Sequence, residues 1–256
     1  MSKNKLKKFD EMATFSNVYQ YPYAVLESQG GCPLKGIWRS KVFGNDNPLV
    51  LELGCGRGEY AVALAQLFKD KNFIGIDIKG ARMWSGAKEA LETGLTNVAF
   101  LRTNIELLPS FFAADEVSEI WLTFPDPQMK KVNKRLTGAR FVSLYRKFLA
   151  DGGLIHLKTD SNFLFTYTRE LIKANSFNEL VCTDDLYNSS FTDPILSIQT
   201  CYEQQWRERG LNIKYLCFKL NNNDPIVEPE IEIEPDPYRS YNRRRRQETK
   251  QSRTKL

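Results

Sequence analysis

The segment Leu49-Val50-Leu51-Glu52-Leu53-Gly54-Cys55-Gly56-Arg57-Gly58 constrains this chain more than any other. A short apolar run that ends in three closely spaced glycines reads as a buried strand running into a tight turn. Helical spacing over 59–69 then makes the whole a strand–loop–helix unit. Glycine allows left-handed backbone and lets a ligand approach without a Cβ in the way. A second strand at 72–77 ends in Asp77, nineteen residues past Gly58. An acid at that point is placed to bind the two hydroxyls of a ribose.

The same alternation continues along the chain. A helix is expected at 80–93, strands at 97–102, 119–124 and 152–159, and helices near 137–149 and 162–174. The last strands are expected at 179–184 and 212–219. The pattern predicts an α/β fold with a mostly parallel, seven-stranded sheet and helices on both faces. Residues 1–47 read as a basic and aromatic arm with a lead-in helix around Tyr23–Gln29, and 48–220 as the main domain. Within 221–237 there are six acids and no base, and within 238–256 eight bases against one acid. That polarity, with interspersed prolines, predicts an extended or disordered tail.

Composition removes several functional classes. The single histidine, His156, excludes mechanisms that need two or three, including most zinc and non-haem iron sites. Five scattered cysteines with no CxxC pair argue against a disulfide framework and for a reduced, cytoplasmic protein. No apolar run approaches the roughly 20 residues that span a bilayer, so no membrane partner is expected. With 36 basic and 31 acidic residues the formal charge is +5, a weak pointer to a polyanion.

A glycine loop followed by an acid is common to NAD-binding and S-adenosylmethionine-binding folds. Two details separate them here. Glu59 stands where the dinucleotide fingerprint wants glycine or alanine. Glu52, directly before the loop, would repel a pyrophosphate and attract a methionine ammonium or sulfonium. With ExGxGxG the chain resembles the class I, Rossmann-like methyltransferases. That resemblance implies S-adenosyl-L-methionine as cofactor, bound by Glu52, Gly54, Gly56, Gly58 and Asp77, with Asn104 against the adenine.

The fourth strand of the main domain ends in Thr123-Phe124-Pro125-Asp126-Pro127. Ligands of open α/β sheets bind at the carboxyl ends of strands, and the two prolines stiffen the loop around Asp126. Lys130, Lys131, Lys134 and Arg135 follow within six residues and suit phosphates. Lys158-Thr159-Asp160 closes the fifth strand, and Thr200-Cys201-Tyr202-Glu203 precedes the last. Asp126, Asp160 and Glu203 would converge on one base edge, accepting from guanine N1–H or its exocyclic amine.

With PDP, KTD and TxYE in this order, the sequence from about Asn4 to Leu220 resembles the tRNA (guanine-N7-)-methyltransferase family, the TrmB type. The family usually reads PDPWxKKRHxKRR. Here Gln128 replaces the tryptophan, and Val132 and Asn133 replace arginine and histidine. The resemblance implies methyl transfer to N7 of the guanine at position 46 of the tRNA variable loop. Asp126 would be the catalytic residue and a further cofactor contact. Lys130, Asp160 and Thr200, Tyr202 and Glu203 would bind tRNA, together with the rest of the basic run. No metal and no obligatory protein partner are implied, and the enzyme would be a monomer or homodimer. Two other readings remain open: a class I methyltransferase for a small molecule or protein, and a non-catalytic RNA-binding module. His156, expected in mid-strand, reads as structural.

Overall fold

A computed structural model describes residues 3–191, 194–221 and 225–237. Among these, one eight-stranded sheet organises the chain, with spatial order β1-β4-β3-β2-β5-β6-β8-β7. The strands are β1 Val18–Tyr19, β2 Leu49–Leu53, β3 Asn72–Asp77, β4 Val98–Arg102, β5 Val117–Thr123, β6 Leu149–Thr159, β7 Asn178–Thr183 and β8 Lys214–Leu220. Neighbours from β1 to β6 run parallel, whereas β8 is antiparallel to both β6 and β7. The chain leaves β2 first toward β3 and β4, then returns to its other side at β5. That reversal makes the carboxyl ends of β2 and β5 the place where a ligand crevice opens.

Seven of these strands are the seven expected from the sequence. The eighth, β1, lies in the amino-terminal arm, where two residues carry no readable period. Val18 and Tyr19 extend the edge beside Phe100 and Leu101 of β4. All five residues of β2 are buried, as a strand covered on both faces requires.

The helices are α1 Lys3–Met12, α2 Tyr23–Ser28, α3 Glu59–Leu67, α4 Gly80–Glu92, α5 Ala139–Tyr145, α6 Asn162–Ala174, α7 Pro194–Ser197 and α8 Cys201–Arg207. The helix expected at 137–149 is shorter than the sequence reading. Its last residues turn into β6, which begins at Leu149, and Phe148 O already accepts from Val117 N of β5. α1 packs on α4, where Trp84 Nε1 donates to Glu11 Oε2 at 3.0 Å and Lys8 Nζ lies 4.2 Å from the Trp84 ring centre. Phe9 and Phe15 pack against the core beneath this pair, and Tyr19 meets the buried Trp38 edge to face.

His156 sits in β6, stacked at 3.9 Å on Trp121, with Nδ1 2.8 Å from the Tyr215 hydroxyl. Burial pushes its pKa down to about 3, so it is a neutral packing residue. No helix among the described residues is long and apolar enough to cross a membrane.

Residues 225–237 carry no regular secondary structure, and they lie against the body along α6. Ile226 and Ile233 pack on the main core. Glu228 accepts from Ala139 N and from the Tyr167 hydroxyl, and Asp236 is buried against the start of α6. Composition predicted an extended or disordered tail. These contacts hold it instead, because alternate isoleucines and acids find apolar and N–H partners on one groove. The basic stretch 238–256 lies outside the described residues.

Candidate active site at the carboxyl edge of the sheet

Three loops and the start of α8 meet at this edge. The first is the glycine loop after β2. Gly54 N and Cys55 N donate to Ile76 O at 2.8 and 3.0 Å, which leans the loop toward β3. Gly54, Gly56 and Gly58 have φ of 79°, 57° and 76°, the left-handed region that only glycine enters without strain. A Cβ on Gly58 would also stand 2.4 Å from the Phe100 ring. At Gly54 a Cβ would meet nothing within 4 Å, and at Gly56 only the Gly54 carbonyl at 4.0 Å. The loop is therefore closed beneath and open above.

Asp77, at the end of β3, accepts from Gly56 N at 3.0 Å and from Lys79 N at 2.8 Å. The acid expected to bind a ribose thus also sets the shape of the loop. Glu52 is differently placed from the expectation of a direct ligand contact. It is 3% exposed, with Oε2 accepting from Ala61 N at 3.0 Å and Oε1 from the Thr123 hydroxyl at 2.6 Å. Burial pushes its pKa up to about 7 against those two hydrogen bonds, and Asp77 and Glu59 push the same way. Its carboxylate ties α3 to the end of β5 from beneath the loop. Asn104 is exposed after β4; its carbonyl accepts from Leu107 N, and its side chain makes no capping bond. Cys55 is buried, and burial raises its thiol pKa well above the ordinary value.

The second loop follows β5. Phe124 and Gln128 both adopt positive φ, 51° and 47°, on either side of Pro125-Asp126-Pro127. Such backbone is held only where its surroundings enforce it. Phe124 N donates to Lys158 O at 2.8 Å, and Gln128 N to Asp126 Oδ1 at 3.0 Å. Asp126 is exposed.

The basic run divides. Lys130 and Lys131 are exposed, and Lys134 is exposed while pairing with Glu106 at 3.2 Å. Arg135, expected on phosphates, is 6% exposed instead. Its guanidinium donates to Met129 O at 2.8 Å and Gln128 O at 3.3 Å, and lies over the rings of Phe163 and Tyr167. The loop carbonyls and two aromatic faces draw it inward, so it holds the loop's shape.

The third loop follows β6. Asp160 is partly buried, and its Oδ2 is a buried atom with no hydrogen-bond partner. Burial pushes its pKa up to about 6, Asp236 adds to the rise, and a backbone hydrogen bond and Lys214 oppose it.

Glu203 corrects the expectation of three acids on one base edge. It is fully buried, 2.9 Å from Lys158 Nζ, and accepts from the Tyr187 hydroxyl at 2.6 Å. Thr200 caps α8, its hydroxyl accepting from Glu203 N at 3.2 Å. Of Thr200, Tyr202 and Glu203, Tyr202 is the exposed one, its ring edge-on to Phe124 and Trp206. Asp160 and Asp126 both bear on its phenol, which they and burial hold above the ordinary pKa. Tyr202 thus lies within electrostatic reach of both acids.

Sequence reasoning missed Thr123 beneath Glu52, Tyr187 beside Glu203, and Asp236. A signal for the last existed: Pro235-Asp236-Pro237 repeats the PDP of 125–127.

The order of strands and the loop over β2 define an S-adenosylmethionine-type methyltransferase fold. A family model described as "Putative methyltransferase" matches residues 46–216. The 16S rRNA methyltransferase KamB superposes with a TM-score of 0.54 at 12% identity, covering 72% of this chain and 92% of that one. The antibiotic-resistance methyltransferase Kmr gives 0.51 at 16%, covering 80% and 95%; both likenesses concern the fold.

Curated relatives are far nearer in sequence. The tRNA (guanine-N(7)-)-methyltransferase of Bacteroides thetaiotaomicron is 60% identical over 96% of this chain and 97% of its own length. That of Porphyromonas gingivalis is 63% identical over 92% and 98%. The chain belongs to the tRNA (guanine-N(7)-)-methyltransferase family.

Proposed function

We infer that this chain transfers the methyl group of S-adenosyl-L-methionine to N7 of a guanine in tRNA, the guanine at position 46 of the variable loop. Cofactor, acceptor atom and RNA class follow from the family. The choice of position 46 rests on the resemblance of the PDP, KTD and TxYE motifs. What carries the reading of the site is one arrangement: the open glycine loop, Asp126 and Asp160 follow the adjacent strands β2, β5 and β6 at a single sheet edge, with the Tyr202 ring against Phe124.

S-adenosylmethionine, when bound, would supply a sulfonium methyl. Guanine N7, with an in-plane lone pair and no proton to lose, would attack that carbon in line as the C–S bond breaks and its electron pair leaves with sulfur as a neutral thioether. The residues fit that group. The loop is open above Gly54 and Gly56, and Asp77, bonded to Gly56 N at the end of β3, is an acid suited to ribose hydroxyls. Asn104 keeps a side-chain amide for the adenine.

No general base is needed, so the work left to the protein is alignment and charge. Asp126 stands on a loop of enforced backbone beside the cofactor crevice, where its carboxylate would stabilise positive charge developing on the purine. Asp160 would accept from guanine N1–H or the exocyclic amine, and Tyr202 would give the extruded base a ring to stack on. Taking that base from its stack costs a few kcal/mol. Lys130 and Lys131 would offset this on the phosphates, with Lys134 once it leaves Glu106. Glu203, Thr200 and Arg135 act from beneath, holding the loops. The enzyme would work in the cytoplasm, where its tRNA substrate is.

The test is methyl transfer from labelled S-adenosylmethionine to unmodified tRNA, with nucleoside analysis of the product. The expected product is 7-methylguanosine, lost when the variable-loop guanine is replaced. Persistence of the product in that tRNA would remove position 46. Absence of 7-methylguanosine from every tRNA would remove the acceptor atom too.

A further inference from the structure

The two acceptor-side loops are joined by a segment from the far end of the chain. Residues 225–237 run along α6 from its carboxyl end, where Val227 N donates to Asn175 Oδ1 at 2.8 Å, to its amino end. There Asp236, 9% exposed, receives Phe163 N on Oδ1 at 3.0 Å and the Ser161 hydroxyl on Oδ2. Ser161 is itself the cap of α6, accepting from Leu164 N at 2.9 Å. The backbone N–H of Asp236 contacts Met129 Sδ at 3.2 Å, in the loop after Asp126. One residue therefore touches both the Asp126 loop and the segment that follows Asp160.

A cavity of about 370 Å³ opens beside it, lined by Asp160, Asn162, Asp184, Asn212, Lys214 and Asp236 among others. It lies where β6 ends and β8 begins, on the same edge as the cofactor loop. Asp160, whose Oδ2 is buried without a hydrogen-bond partner, is part of its wall.

We propose that residues 225–237 form a strap that clasps the two acceptor-side loops, with Asp236 as the residue that positions Asp160 for the incoming guanine. This rests on the guanine-N7 reading above. A carboxylate at the amino end of α6 is favourably placed on unpaired N–H groups. Its charge also faces Asp160 from the strap, while Lys214 faces it from β8, Tyr202 from α8 and Asp184 from the loop after β7. Asp236 thereby holds Ser161, the residue next to Asp160, and adds to the burial that raises the Asp160 pKa.

The experiment uses the full chain and two variants, Asp236→Asn and Asp236→Ala, assayed on unmodified tRNA across pH 5–8. The alanine variant is expected to lose about tenfold or more in kcat/KM for tRNA, the size of effect that a misplaced reacting geometry produces. Cofactor affinity by calorimetry should stay within about twofold, since Asp236 lies away from the glycine loop. The asparagine variant keeps an acceptor for Phe163 N and loses the charge. It should recover most of the rate and shift the acid limb of the profile to lower pH. Wild-type kcat/KM and an unmoved acid limb in both variants would overturn the proposal. So would an equal loss of cofactor affinity and tRNA turnover in the alanine variant, which would reduce Asp236 to a helix cap. Failure of the wild-type chain to methylate tRNA would instead remove the functional reading beneath it.

Discussion

Lys158 and Glu203 meet 2.9 Å apart with neither side chain exposed to solvent. The lysine comes from the KTD motif and the glutamate from TxYE, so the two motifs are joined through one buried pair. Lys158 Nζ also donates to Leu196 O and Ile198 O, at 3.0 and 2.8 Å, which fixes the approach to α8 over the end of β6. Burial pushes the lysine pKa down and the glutamate pKa up, and each is opposed by the other's charge. The pair fixes α8, and with it Tyr202, the exposed neighbour of Glu203 in sequence.

Removing one partner leaves an uncompensated buried charge. Lys158→Met is expected to cost about 3–5 kcal/mol in denaturant unfolding, and the double variant Lys158→Met/Glu203→Leu distinctly less than the sum of the singles. Additive losses would show that the two side chains do not act as a pair.

Glu52 makes stability depend on pH. Its folded pKa, about 7, lies above the ordinary 4.5, because burial disfavours the charged form. A raised folded pKa means the contribution is fully present below about 4.5 and is lost as pH rises through about 7. Ligand-free Glu52→Gln, with its amide oxygen toward Ala61 N, should lack that loss. The wild type is expected to fall behind it by about 3 kcal/mol between those pH values. Parallel stability curves for the two proteins would contradict this.

Asp126→Ala should lower kcat by about a hundredfold, the usual consequence of deleting one preorganised charge from a transition state. Cofactor affinity by calorimetry should fall far less. Equal losses would make Asp126 a cofactor ligand only.

The two kinds of base in the run after Asp126 should separate experimentally. Lys130→Ala and Lys131→Ala are each expected to weaken tRNA binding and reduce its salt slope by up to about one. Arg135→Ala should leave the slope alone and lower the melting temperature, because its guanidinium is occupied by two carbonyls and two rings. An unchanged melting temperature with a reduced slope would return Arg135 to the RNA surface.

The sheet and the cofactor loop were legible because they are written in local pattern. Apolar runs of strand length alternating with helical spacing, and glycines where φ must be positive, specify β2 to α4 almost to the residue. Asp77 was legible for the same reason, since the length of one strand–helix–strand unit sets its place. Whether a charge is exposed or paired inside is a different kind of fact. Glu203 and Arg135 read as substrate contacts because they are charged residues near a strand end, while Lys158 carries no role of its own in the motif. Tertiary structure buries all three, because Tyr187, Leu196, Met129 and Phe163 bring partners from elsewhere in the chain that replace water.

Nor does local sequence decide the path of residues 225–237. Acid-rich composition favours detachment until a groove supplies N–H donors for Glu228 and Asp236 and apolar cover for Ile226 and Ile233. Sequence alone determined the backbone scaffold and the class of cofactor, since both depend on neighbours a few residues apart. Only the fold decided which charges face the ligand, because desolvation is a property of the surroundings in space.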